Sequence, residues 1–112
     1  MAATFEIKNI PCIQINGHGF NLKMNEADML ERGEMLKAMA AEINKPENMN
    51  TPNLLRVCRA VEAYINDLCG EGAMKTMVGN AVLSVMDTMR LLGVVNEEAS
   101  KAFSTALVEK YE

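Results

Sequence analysis

The stretch 61–80, with the sequence VEAYINDLCGEGAMKTMVGN, constrains the fold of this chain more than any other. Val61, Ile65 and Leu68 have the spacing of one helical face, and this pattern breaks at Gly70-Glu71-Gly72 before a helical pattern resumes. A glycine suits a helix end because it adopts positive φ without a Cβ clash, and the second glycine adds another permissive joint. The stretch therefore predicts two closely packed helices with Gly70 at positive φ. An ordinary αα-hairpin has the same pattern.

The N-terminal quarter of the chain has the pattern of a β-hairpin. Apolar and polar residues alternate in 13–15 and again in 20–24. Asn16-Gly17 between them is the strongest short signal for a type I′ turn, because both residues tolerate positive φ. We expect His18-Gly19 to lengthen this turn, and residues 3–8 offer a third short strand. A lone hairpin is marginal in water, so it must pack on helices or on another subunit.

Helical patterns fill the rest of the chain, interrupted by a polar segment at 45–50 that we expect to be a mobile loop. The first predicted helix runs from a cap at Asn25 or Asp28 to about Ile43, and the second runs from Pro52 to Cys69 with Thr51 as N-cap. The third runs from the Gly-Glu-Gly joint to Val78. The fourth runs from a cap at Asn80 to Gly93, and the last begins at a cap at Asn96. The predicted inner residues are Met29, Leu36, Met39 and Ile43 in the first helix, Leu54, Cys58, Val61, Ile65 and Leu68 in the second, Val82, Val85, Met86, Met89 and Leu92 in the fourth, and Ala99, Ala102, Phe103, Ala106 and Leu107 in the last.

These patterns predict an α+β fold that is mostly α, in which an N-terminal β-hairpin is followed by four to five helices. A chain of 112 residues is long enough for one modest core, so we expect a single domain over 1–112. Its β-hairpin region covers 1–24 and its helical region covers 25–112. Ten methionines and only 4% aromatic residues indicate a core of Leu, Ala and Met, and methionines left at the surface can adapt to partners.

Charge and composition exclude several classes of function. A formal net charge of −4 without a Lys/Arg cluster argues against binding to nucleic acid. No apolar run approaches the roughly 20 residues that span a bilayer, so we expect no membrane partner. The first residues lack the basic and apolar regions of a signal peptide, and the three cysteines are an odd number without metal-type spacing. Reduced thiols in a cytoplasmic protein are the simplest interpretation.

Residues that could carry out catalysis are few. The single histidine, His18, is expected in a solvated turn and has neither a second histidine nor a cysteine at zinc spacing. Cys58 lies between Arg56 and Arg59 in sequence, but a catalytic cysteine also needs a base nearby, and the simplest interpretation is a buried thiol. We therefore predict no catalytic residues, no cofactor and no metal ligands, and a protein that is not an enzyme.

The Gly-Glu-Gly joint resembles a signature of the tail assembly chaperones of long-tailed (siphovirus-type) phages and prophages, which reads approximately Ile-Asp-x-x-Phe-Gly-Glu-Gly. The matching residues are Ile65, Asn66, Asp67, Leu68, Cys69, Gly70, Glu71, Gly72 and Ala73, with Cys69 in the place of the usual aromatic residue. The strand–turn–strand around Ile15-Asn16-Gly17 also resembles the start of these proteins. The resemblance implies a non-enzymatic chaperone in the host cytoplasm that binds the tape-measure protein and the major tail protein. It also implies a homo-oligomer.

Two surfaces are predicted to bind partners under this hypothesis. One is the apolar face of the hairpin, formed by Ile13, Ile15, Phe20 and Leu22, and the other is the loop that carries Met49. The alternative function is a small helical regulatory or adaptor module of a prophage or of the bacterial cytosol. The acidic balance argues against a DNA-binding regulator, and the scarcity of convergent polar groups argues against a small-ligand sensor.

Overall fold

The structure, a computed structural model, describes residues 2–6 and 10–111, with only the backbone of 106–111. A two-stranded antiparallel sheet is followed by four α-helices, so the predicted fold class, α+β and mostly α, is confirmed. The strands are β1 (Cys12–Ile15) and β2 (His18–Asn21), and the helices are α1 (Glu26–Ile43), α2 (Thr51–Cys69), α3 (Ala73–Val78) and α4 (Val85–Tyr111). A short 3₁₀ helix, Pro46–Asn48, lies between α1 and α2.

The predicted hairpin is present, with a tighter turn than we expected. Asn16 (φ 52°) and Gly17 (φ 82°) alone form the turn, and both have the positive φ of type I′. The prediction that His18 and Gly19 lengthen the turn is wrong, because these residues pair with Ile15 and Gln14 as the start of β2. The predicted third strand is absent from 3–6, whereas positions 7 and 8 lie outside the described residues.

The hairpin is anchored to the helices of its own chain. The Lys23 amide donates a hydrogen bond to the Leu68 carbonyl oxygen (2.7 Å), and the Asn16 side-chain amide donates to the Met77 carbonyl oxygen (2.8 Å). Ile13 and Ile15 are buried in the main hydrophobic core, and β1 contacts α4. The need of a lone hairpin for a packing partner is therefore met within the chain.

Asparagine side chains cap both long N-terminal helices. Asn25 Oδ1 accepts from the Asp28 amide (2.9 Å), as one of the two predicted caps. Asn50 Oδ1 accepts from the Asn53 amide (3.1 Å), so the prediction of Thr51 as N-cap is wrong by one residue. The predicted loop contains the 3₁₀ helix instead, and the Asn53 side-chain amide donates to the carbonyl oxygen of Asn48 (2.7 Å).

The core is centred on α2. Val61, Ile65 and Leu68 are fully buried, as predicted, together with two residues that the predicted seam omitted, Val57 and Tyr64. Leu54 and Cys58 are only partly buried because the buried face is turned toward Val57 and Tyr64. On α1, the residues Met29, Leu36 and Ile43 are buried and Met39 is partly buried.

The final part of the chain forms one long helix where two were predicted. Ser84, and not Asn80, caps α4, since its Oγ accepts from the Asp87 amide (3.1 Å). Gly93 does not end the helix and Asn96 does not start another. Leu92, Val95 and Ala99 are buried one helical turn apart across this point, which keeps the helix continuous.

Other predicted inner residues of this region have mixed positions. Val82 is 97% exposed and Met86 is also exposed, contrary to the prediction, whereas Val85 and Met89 are partly buried. Ala102 and Phe103 are partly buried, and the side chains of Ala106 and Leu107 lie outside the described part of the chain.

Candidate protein-binding cleft

Gly72 of the Gly-Glu-Gly joint lines an open cleft. Gly70 (φ 115°, ψ 156°) is the C-cap of α2 and has the positive φ predicted for this residue, and Gly72 (φ 74°) is the N-cap of α3. Asn66 ties the two helices together, because its carbonyl oxygen accepts from the Gly70 amide (2.8 Å) and its Oδ1 accepts from the Met74 amide (3.0 Å). The short helix α3 is thereby held against the end of α2.

The cleft lies between α2, α3 and the segment that leads into α4, and its volume is about 520 Å³. Its apolar lining includes Leu55, Met74, Val78 and Leu83, of which Leu55 is 48% exposed. Polar and charged lining residues are Arg59, Glu62, Asn66, Lys75 and Thr88. An open cleft lined by both apolar and charged residues is typical of a surface that binds a protein segment.

Cations outnumber carboxylates in the cleft and the recess beside it, whereas the whole chain has a net negative charge. Arg59 and Lys75 line the cleft, and Arg56 lines an adjoining recess of about 420 Å³ that shares Leu55 and Arg59 with the cleft. All three side chains are exposed, and none forms a salt bridge within the described residues. Glu62 is the carboxylate that lines the cleft. Unpaired cations on a chain of net charge −4 favour an acidic partner.

A polar network links the helices on the other side of α2. The Arg32 guanidinium of α1 pairs with the Asp67 carboxylate (2.6 Å), and its Cζ lies 5.4 Å from the centroid of the Tyr64 ring. The Tyr64 hydroxyl donates to Asn96 Oδ1 of α4 (2.6 Å). This network fixes α1 and α4 against α2, and thus positions the helix that forms the cleft wall.

Burial raises the pKa of two groups near this network. The pKa of the Cys69 thiol rises from 9.0 to about 11 through desolvation. The pKa of Tyr64 rises from 10.0 to about 12, mainly through desolvation and further through the negative charge that Cys69 can carry, while the Arg32 charge opposes the rise. Both groups are therefore neutral at physiological pH, and a neutral buried thiol is a weak nucleophile.

The residues considered for chemistry do not converge. His18 is exposed at the start of β2, Cys12 is exposed on β1, and Cys58 is partly buried in the cleft lining. Within the described residues, no group of three or more His, Cys, Asp or Glu side chains is arranged to hold a metal ion.

The structure separates the five residues predicted to bind partners. Ile13, Ile15 and Leu22 are buried in the core of their own chain, Phe20 is partly buried against that core, and Met49 is 57% exposed. The apolar face of the hairpin is therefore not a free surface in this fold. Sequence reasoning missed the cleft, although Leu55, Arg59 and Glu62 recur at helical spacing and could have indicated an exposed apolar and charged face of α2.

Comparisons with known proteins place the chain in a family. None of the described helices combines the length and the apolar composition that crossing a membrane requires. No match was found among curated proteins or among solved structures. A family of unknown function (DUF6673) matches residues 16–112, which include the hairpin turn, the four α-helices of the described residues and the cleft. The chain belongs to this family of unknown function.

Proposed function

We propose that this protein is a non-enzymatic phage tail assembly chaperone, which binds the tape-measure protein, the major tail protein or both in the host cytoplasm during tail assembly. The proposal starts from the resemblance of the stretch 65–73 and of the Ile15-Asn16-Gly17 turn to such chaperones. The single observation that carries it is that two residues of this same stretch, Asn66 and Gly72, line an open, partly apolar cleft.

The chemistry of the cleft supports a protein segment as the ligand. Small-molecule sites enclose most of their ligand and present a few convergent polar groups. This cleft instead leaves Leu55 about half exposed, and Arg59, Glu62 and Lys75 on its lining are exposed. An apolar strip with a charged border fits an amphipathic helix of a client protein. Met49, exposed and just before α2, stays a candidate for the edge of that surface.

Co-expression with fragments of a tape-measure protein and of a major tail protein tests the proposal. We expect at least one fragment to co-purify with the chain and to become less prone to aggregation. Leu55→Glu, which places a charge among the apolar lining residues, should abolish co-purification. Val94→Glu is the matched control, because Val94 on α4 is also 48% exposed and does not line the cleft.

Two results would contradict the proposal. Failure of both fragments to bind the wild-type chain would favour the regulatory or adaptor module instead. Equal loss of binding in Leu55→Glu and Val94→Glu, with both variants folded by circular dichroism, would show that the cleft is not the binding surface.

A further inference from the structure

We propose that Asn16, in the hairpin turn, is a site of spontaneous deamidation, and that this reaction loosens helix α3 from the hairpin. In the reaction, water converts the side-chain amide of the asparagine into a carboxylate, and ammonia is released. No client protein takes part, so this modification is independent of the proposed function.

Asn16 is the one asparagine in the sequence that a glycine follows. Deamidation begins when the main-chain nitrogen of the next residue attacks the side-chain carbonyl carbon of the asparagine. A side chain on that next residue hinders the approach, whereas glycine has no Cβ and allows close contact. The sequence therefore makes Asn16 the most reactive asparagine of the chain.

Both reacting residues lie at the surface. Asn16 and Gly17 are exposed, and a Cβ added to Gly17 would meet nothing within 4 Å. The residues that pair across the turn are Ile15 and His18, and the Gly17 amide donates no hydrogen bond among the described residues. Water and hydroxide therefore have access to the nitrogen that must lose its proton.

The reaction balances with water as its only co-reactant. The Gly17 nitrogen loses its proton to hydroxide and forms a bond to Asn16 Cγ. The bond from Cγ to Nδ2 breaks, and Nδ2 takes up a proton and leaves as ammonia. Water then opens the resulting succinimide ring at either of its two carbonyl carbons. One product is aspartate, and the other is isoaspartate, in which the main chain runs through the former side chain.

The nitrogen that leaves is the one that connects the hairpin to α3. Asn16 Nδ2 donates to the Met77 carbonyl oxygen (2.8 Å), the single hydrogen bond between the hairpin and α3 among the described residues. Such a bond contributes only about 1 kcal/mol, so it opens often enough for the side chain to turn toward Gly17. A carboxylate has no N–H to donate, and its charge repels a carbonyl oxygen. Deamidation thus replaces an attraction between the turn and α3 by a repulsion.

Loosening of α3 affects the cleft, because Met74, Lys75 and Val78 of this helix line it. The helix has six residues, too few to be stable without tertiary contacts. Ala73 and Met77 remain buried in the core, so we expect α3 to open more often while the domain stays folded. Because the ammonia is lost, the change is permanent for each chain.

Mass spectrometry of the folded wild-type chain, aged at mildly alkaline pH, tests the first step. Cleavage after Lys8 and Lys23 gives the peptide 9–23, which contains Asn16 and also Asn21 as an internal control. We expect the mass shift from amide to acid at Asn16, with an equal amount of ammonia released, while Asn21 keeps its amide. An unchanged Asn16 would overturn the proposal, even if Asn16 converts in urea, and so would equal conversion at Asn21.

Hydrogen exchange of the α3 amides tests the second step. Asn16→Asp should raise their exchange rates by about tenfold, because it removes the hydrogen bond and adds a charge. Asp-Gly is also favoured in this type of turn, so this variant keeps the hairpin. Asn16→Gly keeps the positive φ and adds no charge, so it should raise the rates less.

Asn21→Asp is the matched control, because it adds the same charge at an exposed residue of β2. We expect its α3 amides to exchange as in the wild type. Exchange of α3 in Asn16→Asp that equals the wild type, or that equals Asn21→Asp, would overturn the link between deamidation and α3.

Discussion

The Tyr64 hydroxyl on α2 donates a hydrogen bond of 2.6 Å to Asn96 Oδ1 on α4. Tyr64 is fully buried, and Arg32 of α1 lies over its ring, so one side chain connects three helices. A buried hydroxyl needs a hydrogen-bond partner within the protein, because burial removes the hydrogen bonds that it makes with water in the unfolded chain. Tyr64 and Asn96 therefore hold in register the helices that position the cleft.

We expect Tyr64→Phe to lower the free energy of unfolding by about 1–3 kcal/mol, because Asn96 Oδ1 then loses its partner. Asn96→Ala should cost a similar amount, since it leaves the tyrosine hydroxyl unpaired. Urea unfolding of both single variants and of the double variant forms a double-mutant cycle. Costs that simply add in the double variant would show that the two side chains do not interact.

Stability should fall at high pH because Cys69 and Tyr64 are buried as neutral groups. In the unfolded chain the Cys69 thiol has a pKa of 9.0 and the Tyr64 phenol a pKa of 10.0. In the folded chain these pKa values are about 11 and about 12, so the folded chain retains protons that the unfolded chain has already released. The stability from these groups is thus fully present below pH 9 and is lost as the pH rises through this window. Urea midpoints from pH 7 to 11 measure the decline.

The matched variants for this pH dependence are Cys69→Ala and Cys12→Ala. Removal of the buried thiol should flatten the decline between pH 9 and 11, whereas removal of the exposed thiol should leave it unchanged. Identical slopes in the two variants would contradict the assignment of the decline to Cys69.

Gly70→Ala should destabilise the chain by about 1–3 kcal/mol, because its backbone (φ 115°, ψ 156°) lies in a region that is essentially open only to glycine. A Cβ there would also lie 3.2 Å from Lys23 Cε. Gly93→Ala is the control, since Gly93 lies inside α4 and a Cβ added to it would meet open space, so it should stabilise by about 0.5–1 kcal/mol. Thermal unfolding compares the stability of the two variants. A Gly70→Ala variant that is as stable as the wild type would contradict a backbone at Gly70 that only glycine tolerates.

Gly17→Val should destabilise the hairpin by about 1–2 kcal/mol, because a β-branched residue resists the positive φ of this turn position. Gly19→Val changes a strand residue whose φ is not positive and whose Cβ would meet open space, so it should be tolerated. Hydrogen exchange of the β1 and β2 amides reports the difference. Equal protection in both variants would contradict a type I′ turn at Asn16-Gly17.

The features that could be predicted from sequence are those that local backbone chemistry determines. Asn16-Gly17 and Gly70 were located correctly because positive φ leaves few alternatives to Asn and Gly. The continuous α4 was missed because Gly93 costs a helix only about 1 kcal/mol, less than the burial of Leu92 and Val95 around it provides. Asn96 has the residue type of a cap, but its side chain pairs with Tyr64, which is distant in sequence.

The candidate cleft could not be predicted for a similar reason. Leu55 and Arg59 line an opening only once α3 packs beside α2. The apolar face of the hairpin was predicted as a partner surface because the alternation of apolar and polar residues shows that one face must be covered. It does not show which element covers that face. Ile13 and Ile15 are in fact covered within the chain.

The central claim, that this chain is a chaperone for a tail protein, is tested most directly by sedimentation of a fluorescently labelled tape-measure segment titrated with the purified chain. We predict that the labelled segment shifts to a faster-sedimenting complex and that Leu55→Glu prevents the shift while Val94→Glu does not. A labelled segment that sediments unchanged at every concentration of the wild-type chain would contradict the claim.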